Sequence, residues 1–177
     1  LNKRKPSGSF DLHDALKRPS ASEAIIALFM GWGANPFLKN NEGKTAISMA
    51  WDKNICPHNT KSTCLLENTL TLLEEDCLSP PPASEQDLAI LLMYVIQKER
   101  KENLDTLYML LKYGADPFWF DHKNQSALTM AFELKRTAAI SVISAFCFDQ
   151  IETNRLILPA DPFNNQAVST LLLFAVK

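Results

Sequence analysis

The sequence contains 177 residues, of which 46% are hydrophobic, so it is long and apolar enough to bury the core of a folded domain. Its formal net charge of -2 excludes the concentrated basic surface on which affinity for nucleic acid depends. No apolar run reaches the ~20 residues that a membrane helix requires, and the N-terminus lacks the apolar core of a signal peptide. We therefore expect a soluble, cytoplasmic protein with neither a nucleic-acid nor a membrane partner.

The first clear helix signal follows "SASE" at 20–23, which has the spacing of a capping box between Ser20 and Glu23. The apolar run "EAIIALFM" comes next, and Gly31 and Gly33 end it. This pattern predicts a short amphipathic helix. Its predicted inward face consists of Ala24, Ile25, Leu28 and Phe29.

The segment 51–83 predicts a loop, then a helix over about 63–77, then a stiff turn formed by Pro80, Pro81 and Pro82, which cannot lie inside a helix. A second capping pattern, from Ser84 to Asp87, then precedes the run "DLAILLMYVIQKER".

Another apolar run, "NLDTLYMLLKYG", ends at Gly114, and no long stretch alternates like a strand. These patterns predict an all-α fold. The expected inward residues are Leu88, Leu91, Leu92 and Val95 in the earlier run, and Leu104, Leu107, Leu110 and Leu111 in the later one.

A turn phrase occurs three times, as "GANPF" at 33–37, "GADPF" at 114–118 and "PADPF" at 159–163. The first two are followed at equal distances by the helix-opening phrases "TAISMA" at 45–50 and "SALTMA" at 126–131. Similar phrases, "FDLHDA" and "TLLLFA", lie near the two ends of the chain. Recurrence at a fixed spacing indicates stacked structural units.

Backbone geometry explains the repeated residue types. Gly33 and Gly114 follow a helix, where a left-handed residue satisfies the last carbonyls and glycine carries no steric penalty. Gly43 and Asn124 occupy one later position of the turn, which predicts positive φ at both because asparagine tolerates it. Small residues are expected where two helices approach closely; these are Ala50 and Ala131.

Together these phrases resemble the ankyrin repeat, whose unit of ~33 residues combines a T-P-L-H-x-A helix, a second helix and a G-A-D-P hairpin. "LHDA" at 12–15 keeps three residues of the helix phrase, and "GANP" at 33–36 and "GADP" at 114–117 keep the ending. Thr45 and Ser126 stand where the family's threonine caps the helix. Alanines 46 and 127 replace its proline.

The resemblance implies an ankyrin-type helical repeat solenoid of about four to five units with short hairpin loops, forming a single domain over 1–177. The segment 51–83 is then an insertion in the second unit. The expected units are 8–40, 41–83 with the insertion, 84–121, 122–160 and a partial 161–177.

Chemical groups suited to catalysis are sparse. By residue type, zinc could be bound by Cys56, His58, Cys64 and Cys77, but their spacing matches no usual ligand pair. We interpret these three cysteines and Cys147 as free thiols. His13, in the helix phrase, is expected to make a structural hydrogen bond. The sequence therefore predicts no enzyme activity, metal, cofactor or small-molecule substrate.

A protein partner is the expected ligand, because ankyrin-like stacks present hairpin tips and first helices on a concave face. "DPFWFDHKN" is the most informative stretch: Phe118 is expected to be structural, Phe120 to bind, and Trp119 to do either. Trp51 and Phe132 are expected to extend an apolar patch. The predicted partner-binding residues are Lys39, Asn41, Glu42, Lys44, Asp52, Lys53, Trp119, Phe120, His122, Lys123, Gln125, Glu133 and Leu134.

The leading hypothesis is a protein-protein interaction scaffold. The alternative is a substrate-targeting module of a larger enzyme or of a secreted bacterial effector acting in the host cytosol, with its active domain outside these residues. A zinc-dependent activity between Cys56 and Cys77 is a third hypothesis. Flanking sequence would separate the first two, and metal analysis of protein purified without chelator would test the third.

Overall fold

A computed structural model describes residues 10–18, 22–53, 60–81, 84–98 and 104–152, together with Asn2, Lys3 and Lys5. The described residues form eight helices and no strand, which confirms the all-α prediction. In chain order these are α1 (Asp11–Lys17), α2 (Glu23–Gly31), α3 (Ala46–Lys53), α4 (Thr60–Glu74), α5 (Glu85–Gln97), α6 (Leu104–Lys112), α7 (Ala127–Glu133) and α8 (Thr137–Glu152).

The chain divides into two compact units, residues 1–91 and 92–177. In the first unit, α1 packs against α2 and α3, and α4 packs against α2 and α3. Each of these four helices thus contacts one neighbour in the chain and the helix two places away. In the second unit, α6 and α7 both pack against α8.

A hydroxyl residue immediately precedes α3, α5 and α7, and in α3 and α7 it caps the helix. The Thr45 hydroxyl accepts a 3.0 Å hydrogen bond from the Ser48 amide at the start of α3. Ser126 and Thr129 form a reciprocal capping box at the start of α7. Ser84 immediately precedes α5, and its hydroxyl donates to the Pro81 carbonyl at 2.7 Å. The bonds of Thr45 and Ser126 to helix amides explain why α3 and α7 begin where they do.

The sequence prediction placed the wrong face of α2 inward. Ile26 and Met30 are its buried residues, whereas Ile25 and Leu28 are exposed. The run is apolar on every side, so its period alone could not select a face, and the packing of α1 and α4 selects Ile26 and Met30 instead. The capping-box prediction at 20–23 was also wrong, because Ser22 occupies the N-cap position and makes no side-chain capping bond.

Later helices follow their predicted patterns more closely. Every residue of α5 from 87 to 96 is buried, including the three predicted leucines and Val95. In α6 the predicted Leu107, Leu110 and Leu111 are buried, but Leu104 is exposed. Helix α4 ends three residues before the predicted limit of 77, because Asp76 takes a positive φ of 54° and the chain folds back, with Cys77 and Leu78 both donating to the Leu72 carbonyl.

None of the helices in the described ranges has the length and apolarity needed to cross a membrane.

Candidate protein-binding surface

The first hairpin, residues 33–45, begins with a left-handed turn. Gly33 has a φ of 80°, which lets the Ala34 amide reach back to the Phe29 carbonyl at 2.9 Å. The Asn35 side-chain carbonyl then accepts the Phe37 amide at 2.9 Å. These two bonds close the end of α2 and start the hairpin.

Asn40 organises the second half of this hairpin. It is buried, and its side-chain carbonyl accepts the amides of Glu42 at 2.9 Å and Lys44 at 3.0 Å. The backbone amide of Asn40 donates to the Lys44 carbonyl at 2.9 Å. Gly43 takes a φ of 73° within the loop that this bond closes. Backbone groups that a loop would expose are therefore satisfied by one amide side chain.

The second hairpin, residues 114–126, makes the same bonds 81 residues later (114 − 33). Gly114 has a φ of 96°, and Asp116 accepts the Phe118 amide at 2.9 Å. Asp121, buried like Asn40, accepts the amides of Lys123 at 2.8 Å and Gln125 at 3.0 Å. Asn124 has a φ of 59°, and this confirms the predicted equivalence with the glycine of the first hairpin.

Phe118 is buried, which confirms the prediction that it is structural, and Phe37 is buried at the equivalent position. The third copy, Phe163, lies outside the described residues. Trp119 and Phe120 are half-buried, so each keeps part of its ring at the surface. The prediction of an exposed patch at Trp51 was wrong, because that side chain packs in the core of its unit; Phe132, the other residue of the predicted patch, is half-buried.

In the first unit, the predicted binding residues Lys39, Asn41 and Glu42 have exposed side chains. Lys44 and Asp52 are also exposed, but they form an ion pair of 3.0 Å that links the hairpin to the last turn of α3. Lys53 lies in α3, and its side chain is outside the described structure.

In the second unit, His122 and Lys123 are exposed at the hairpin tip. The side-chain amide of Gln125 donates to the Glu133 carboxylate at 3.0 Å, at positions equivalent to Lys44 and Asp52. Leu134, also a predicted binding residue, is exposed just after α7. The predicted residues of each unit are thus brought onto one hairpin and the helix that follows it.

His13 makes the structural hydrogen bond predicted for it. The side chain is fully buried, and its Nε2 lies 3.0 Å from the Lys44 carbonyl oxygen. Because a carbonyl only accepts, Nε2 must carry the proton. Burial lowers the pKa of His13 below its ordinary value, and Nδ1 has no hydrogen-bond partner among the described residues. The neutral imidazole therefore joins α1 to the hairpin.

Asp87 has a role that the sequence did not indicate. Its side chain is only 4% exposed, and its carboxylate accepts a hydrogen bond of 2.5 Å from the Thr45 hydroxyl. Burial raises the pKa of Asp87 to about 6, while the Thr45 bond and the positive charge of Lys39 act in the opposite direction. Asp87 therefore joins α5 to the same hairpin that His13 contacts.

Comparison of the third residue of each helix would have identified Asp87 as a residue that contacts a hairpin. It is the third residue of α5, as His13 is the third residue of α1 and Thr129 the third of α7. In all three cases the polar side chain bonds to a hairpin or to the residue before the helix; the Thr129 hydroxyl accepts the Ser126 amide at 2.8 Å. Aligning the helices by their starts, instead of by the turn phrases, brings out this pattern.

Zinc chemistry finds no geometric support in the described segments. Cys56 and His58 lie outside the described residues. Cys64 lies in α4, and the Cys77 amide bonds the Leu72 carbonyl eight residues further along, so a rise of ~1.5 Å per residue places the two cysteines about 12 Å apart along the helix axis. Over the ranges that the structure describes, no group of three or more His, Cys, Asp or Glu side chains is placed to hold a metal ion.

The structure also shows exposed apolar side chains that the sequence patterns did not single out. Trp32 is 65% exposed, immediately after α2, and Leu28 and Ile25 line the same helix. Tyr108 and Tyr113 are exposed on and after α6; the Tyr108 ring packs edge-on against Phe146, with 6.3 Å between centroids. One patch lies on and just after α2 and the other on and just after α6, away from the hairpin tips in sequence.

No protein-family model matches the chain. No curated protein matches it in sequence.

Proposed function

We propose that the chain is a helical repeat scaffold of the ankyrin type that binds a partner protein through its hairpins and the helices that follow them. The observation that carries this proposal is the equivalence of the two hairpins. They share the left-handed turn, the side-chain bonds and the buried phenylalanine at a constant offset. Two turns built alike, with different surface residues, are expected of a repeated unit.

The helix contacts support the repeat. Within the first unit, α1 packs on α3 and α2 on α4, and within the second, α6 packs on α8. In the contact of α1 with α3 a first helix meets a first helix, and in the other two contacts a second helix meets a second helix. The predicted intervals 8–40, 41–83, 84–121 and 122–160 each contain one successive pair of helices. Stacks of this kind leave an extended surface for binding.

A division of labour within each hairpin supports a binding role. Two buried residues, Asn40 and Asp121, accept the backbone amides of the loops. The tips carry Lys39, Asn41 and Glu42 in one hairpin and His122 and Lys123 in the other. Because these side chains are exposed on loops that Asn40 and Asp121 hold in place, a partner can reach them.

We expect the second hairpin to contribute most of the binding energy. Trp119 and Phe120 retain exposed ring surface beside Lys123, and Leu134 adds an exposed apolar side chain after the following helix. Aromatic anchors commonly account for ~2 kcal/mol or more of an interface each.

The experiment uses the full chain as bait, identifies the captured protein, and then measures binding of that purified protein. Phe120→Ala with Lys123→Glu is expected to weaken the affinity by about thirtyfold or more. The free energy of unfolding should change by less than about 1 kcal/mol, because neither residue is fully buried.

Lys98→Glu is the charge-matched control, since Lys98 is exposed at the end of α5 and belongs to neither hairpin. It should leave the affinity unchanged. Equal weakening by the control would mean a nonspecific electrostatic attraction, and unfolding by the hairpin variant would place Phe120 in the core. Either result would contradict the proposed surface.

A further inference from the structure

The first hairpin is held on two sides by titratable side chains. His13, the third residue of α1, bonds the Lys44 carbonyl from one side. Asp87, the third residue of α5, bonds the Thr45 hydroxyl from the other. Both side chains are more than nine-tenths buried, and they attach to adjacent residues of the hairpin.

Protonation of His13 destabilises the junction between α1 and the hairpin. The neutral His13 ring donates from Nε2, and Nδ1 has no acceptor among the described residues. A proton added at Nδ1 would create a buried donor and a buried charge without compensation. The charged groups near this ring are Lys17 and Asp14 of α1 and Glu42 of the hairpin.

Protonation of Asp87 has the opposite effect and stabilises the junction between α5 and the hairpin. A neutral carboxyl group is less costly to bury than a carboxylate, and it can still accept the Thr45 hydroxyl. Lys39 of the hairpin is the charged group that opposes this effect. Its side chain is exposed, so water weakens its attraction for the carboxylate.

We propose that the hairpin of residues 33–45 is a pH-responsive element, whose junction with α1 is weakened and whose junction with α5 is strengthened when His13 and Asp87 take up protons. A decrease in pH would then destabilise the contact between the hairpin and α1 and stabilise the contact between the hairpin and α5. This device does not depend on the identity of any partner.

Linkage gives the sign of each change. For His13 the folded pKa lies below 6.5, so the opened state binds more protons and its population grows as pH falls through 6.5. For Asp87 the folded pKa of about 6 exceeds the ordinary 3.8, so the closed state binds more protons and its population grows as pH falls. The two junctions therefore respond in opposite directions over the same pH range.

Two backbone amides report on the two junctions. The Asn40 amide donates to the Lys44 carbonyl, which His13 also contacts. The Ser48 amide donates to the Thr45 hydroxyl, which Asp87 also contacts. Hydrogen exchange of the full chain would measure the protection factor of each of these two amides separately.

Between about pH 7.5 and pH 5, we expect the protection of the Ser48 amide to rise about tenfold and that of the Asn40 amide to fall. Asp87→Asn, which keeps the acceptor, should abolish the change at Ser48 only. His13→Gln, which keeps a donor at the place of Nε2, should abolish the change at Asn40 only. His122→Gln and Asp105→Asn, at exposed positions of the second unit, are the matched controls and should alter neither.

Changes of the same sign at both amides, or changes that persist in the two variants, would overturn the proposal. If a variant does not fold, nuclear magnetic resonance titration of the unmodified chain decides the question. An Asp87 carboxyl signal with a midpoint near 6 supports the proposal, and one near 3.8 contradicts it. A His13 ring signal with a midpoint at or above 6.5 contradicts it as well.

Discussion

The Gln125 side chain donates a 3.0 Å hydrogen bond to Glu133 at the two positions where Lys44 and Asp52 form a 3.0 Å ion pair in the other hairpin. One contact is charged on both sides and the other on one side only, yet both join the base of a hairpin to the last turn of the next helix. The contact thus occupies the same position in the two hairpins, while the charges of the residues that form it differ. This difference allows the contribution of charge to be measured.

Lys44→Gln converts the first pair to the chemistry of the second. Both partners are largely exposed, so we expect the free energy of unfolding to fall by less than about 1 kcal/mol. Denaturant unfolding at low and high salt checks this, because only the charged pair is screened. Gln125→Lys is the reciprocal control and should introduce a salt dependence; a large salt-independent loss for Lys44→Gln would show that its aliphatic chain packs.

Asn40→Ala should lower the free energy of unfolding by about 2 kcal/mol, because it removes the acceptor of two hairpin amides. Asn40→Asp should cost far less, since Asp121 accepts the equivalent amides in the other hairpin. Urea unfolding of both variants measures the difference. Similar losses for the two would mean that the role of Asn40 lies in its NH₂ group and not in its carbonyl oxygen.

Gly114→Ala should destabilise the protein by about 1–2 kcal/mol through the backbone alone. The φ of Gly114 is 96°, but an added Cβ would meet no atom within 4 Å, so no steric clash contributes. Gly31→Ala is the matched control: that glycine ends α2, its Cβ site is equally open, and alanine should be neutral or stabilise by about 0.5 kcal/mol. Thermal unfolding of both variants tests the pair, and a loss at position 31 would contradict the assignment.

Thiol labelling should separate the cysteines by burial. Cys147 is buried in α8, and burial, with a smaller contribution from Asp116, raises the pKa of its thiol to about 12. Since the thiolate is the reactive form, we expect Cys147 to react with an aromatic disulfide reagent only after unfolding. Cys77 is exposed and should react in the folded protein. Mass spectrometry of the labelled peptides identifies each site; rapid labelling of Cys147 in folded protein would show that α8 opens readily.

Much of the local structure could be predicted because it depends on neighbouring residues. The left-handed positions at Gly33, Gly114 and Asn124 follow from residue type, and the structure confirms each one. The buried leucines of α6 follow from helical spacing, apart from Leu104. The candidate binding residues lie on the two hairpins and on or just after the helices that follow them, and their role in binding stays a prediction.

Other features could not be predicted because they depend on which surfaces meet. Helix α2 is apolar all round, and only the packing of α1 and α4 decides that Ile26 is buried and Ile25 is exposed. Asp87 has the spacing of an ordinary capping residue, but its carboxylate is buried against Thr45, which lies 42 residues earlier in the chain.

By itself, the amino-acid sequence determined the helical class, the two described hairpins and the residue types at their turns, since these arise from backbone conformation and hydrogen bonds between residues close in the chain. Tertiary structure alone decided the buried face of α2 and the pairing of Thr45 with Asp87. Burial and desolvation depend on surfaces brought together from distant parts of the chain, and no local pattern records them.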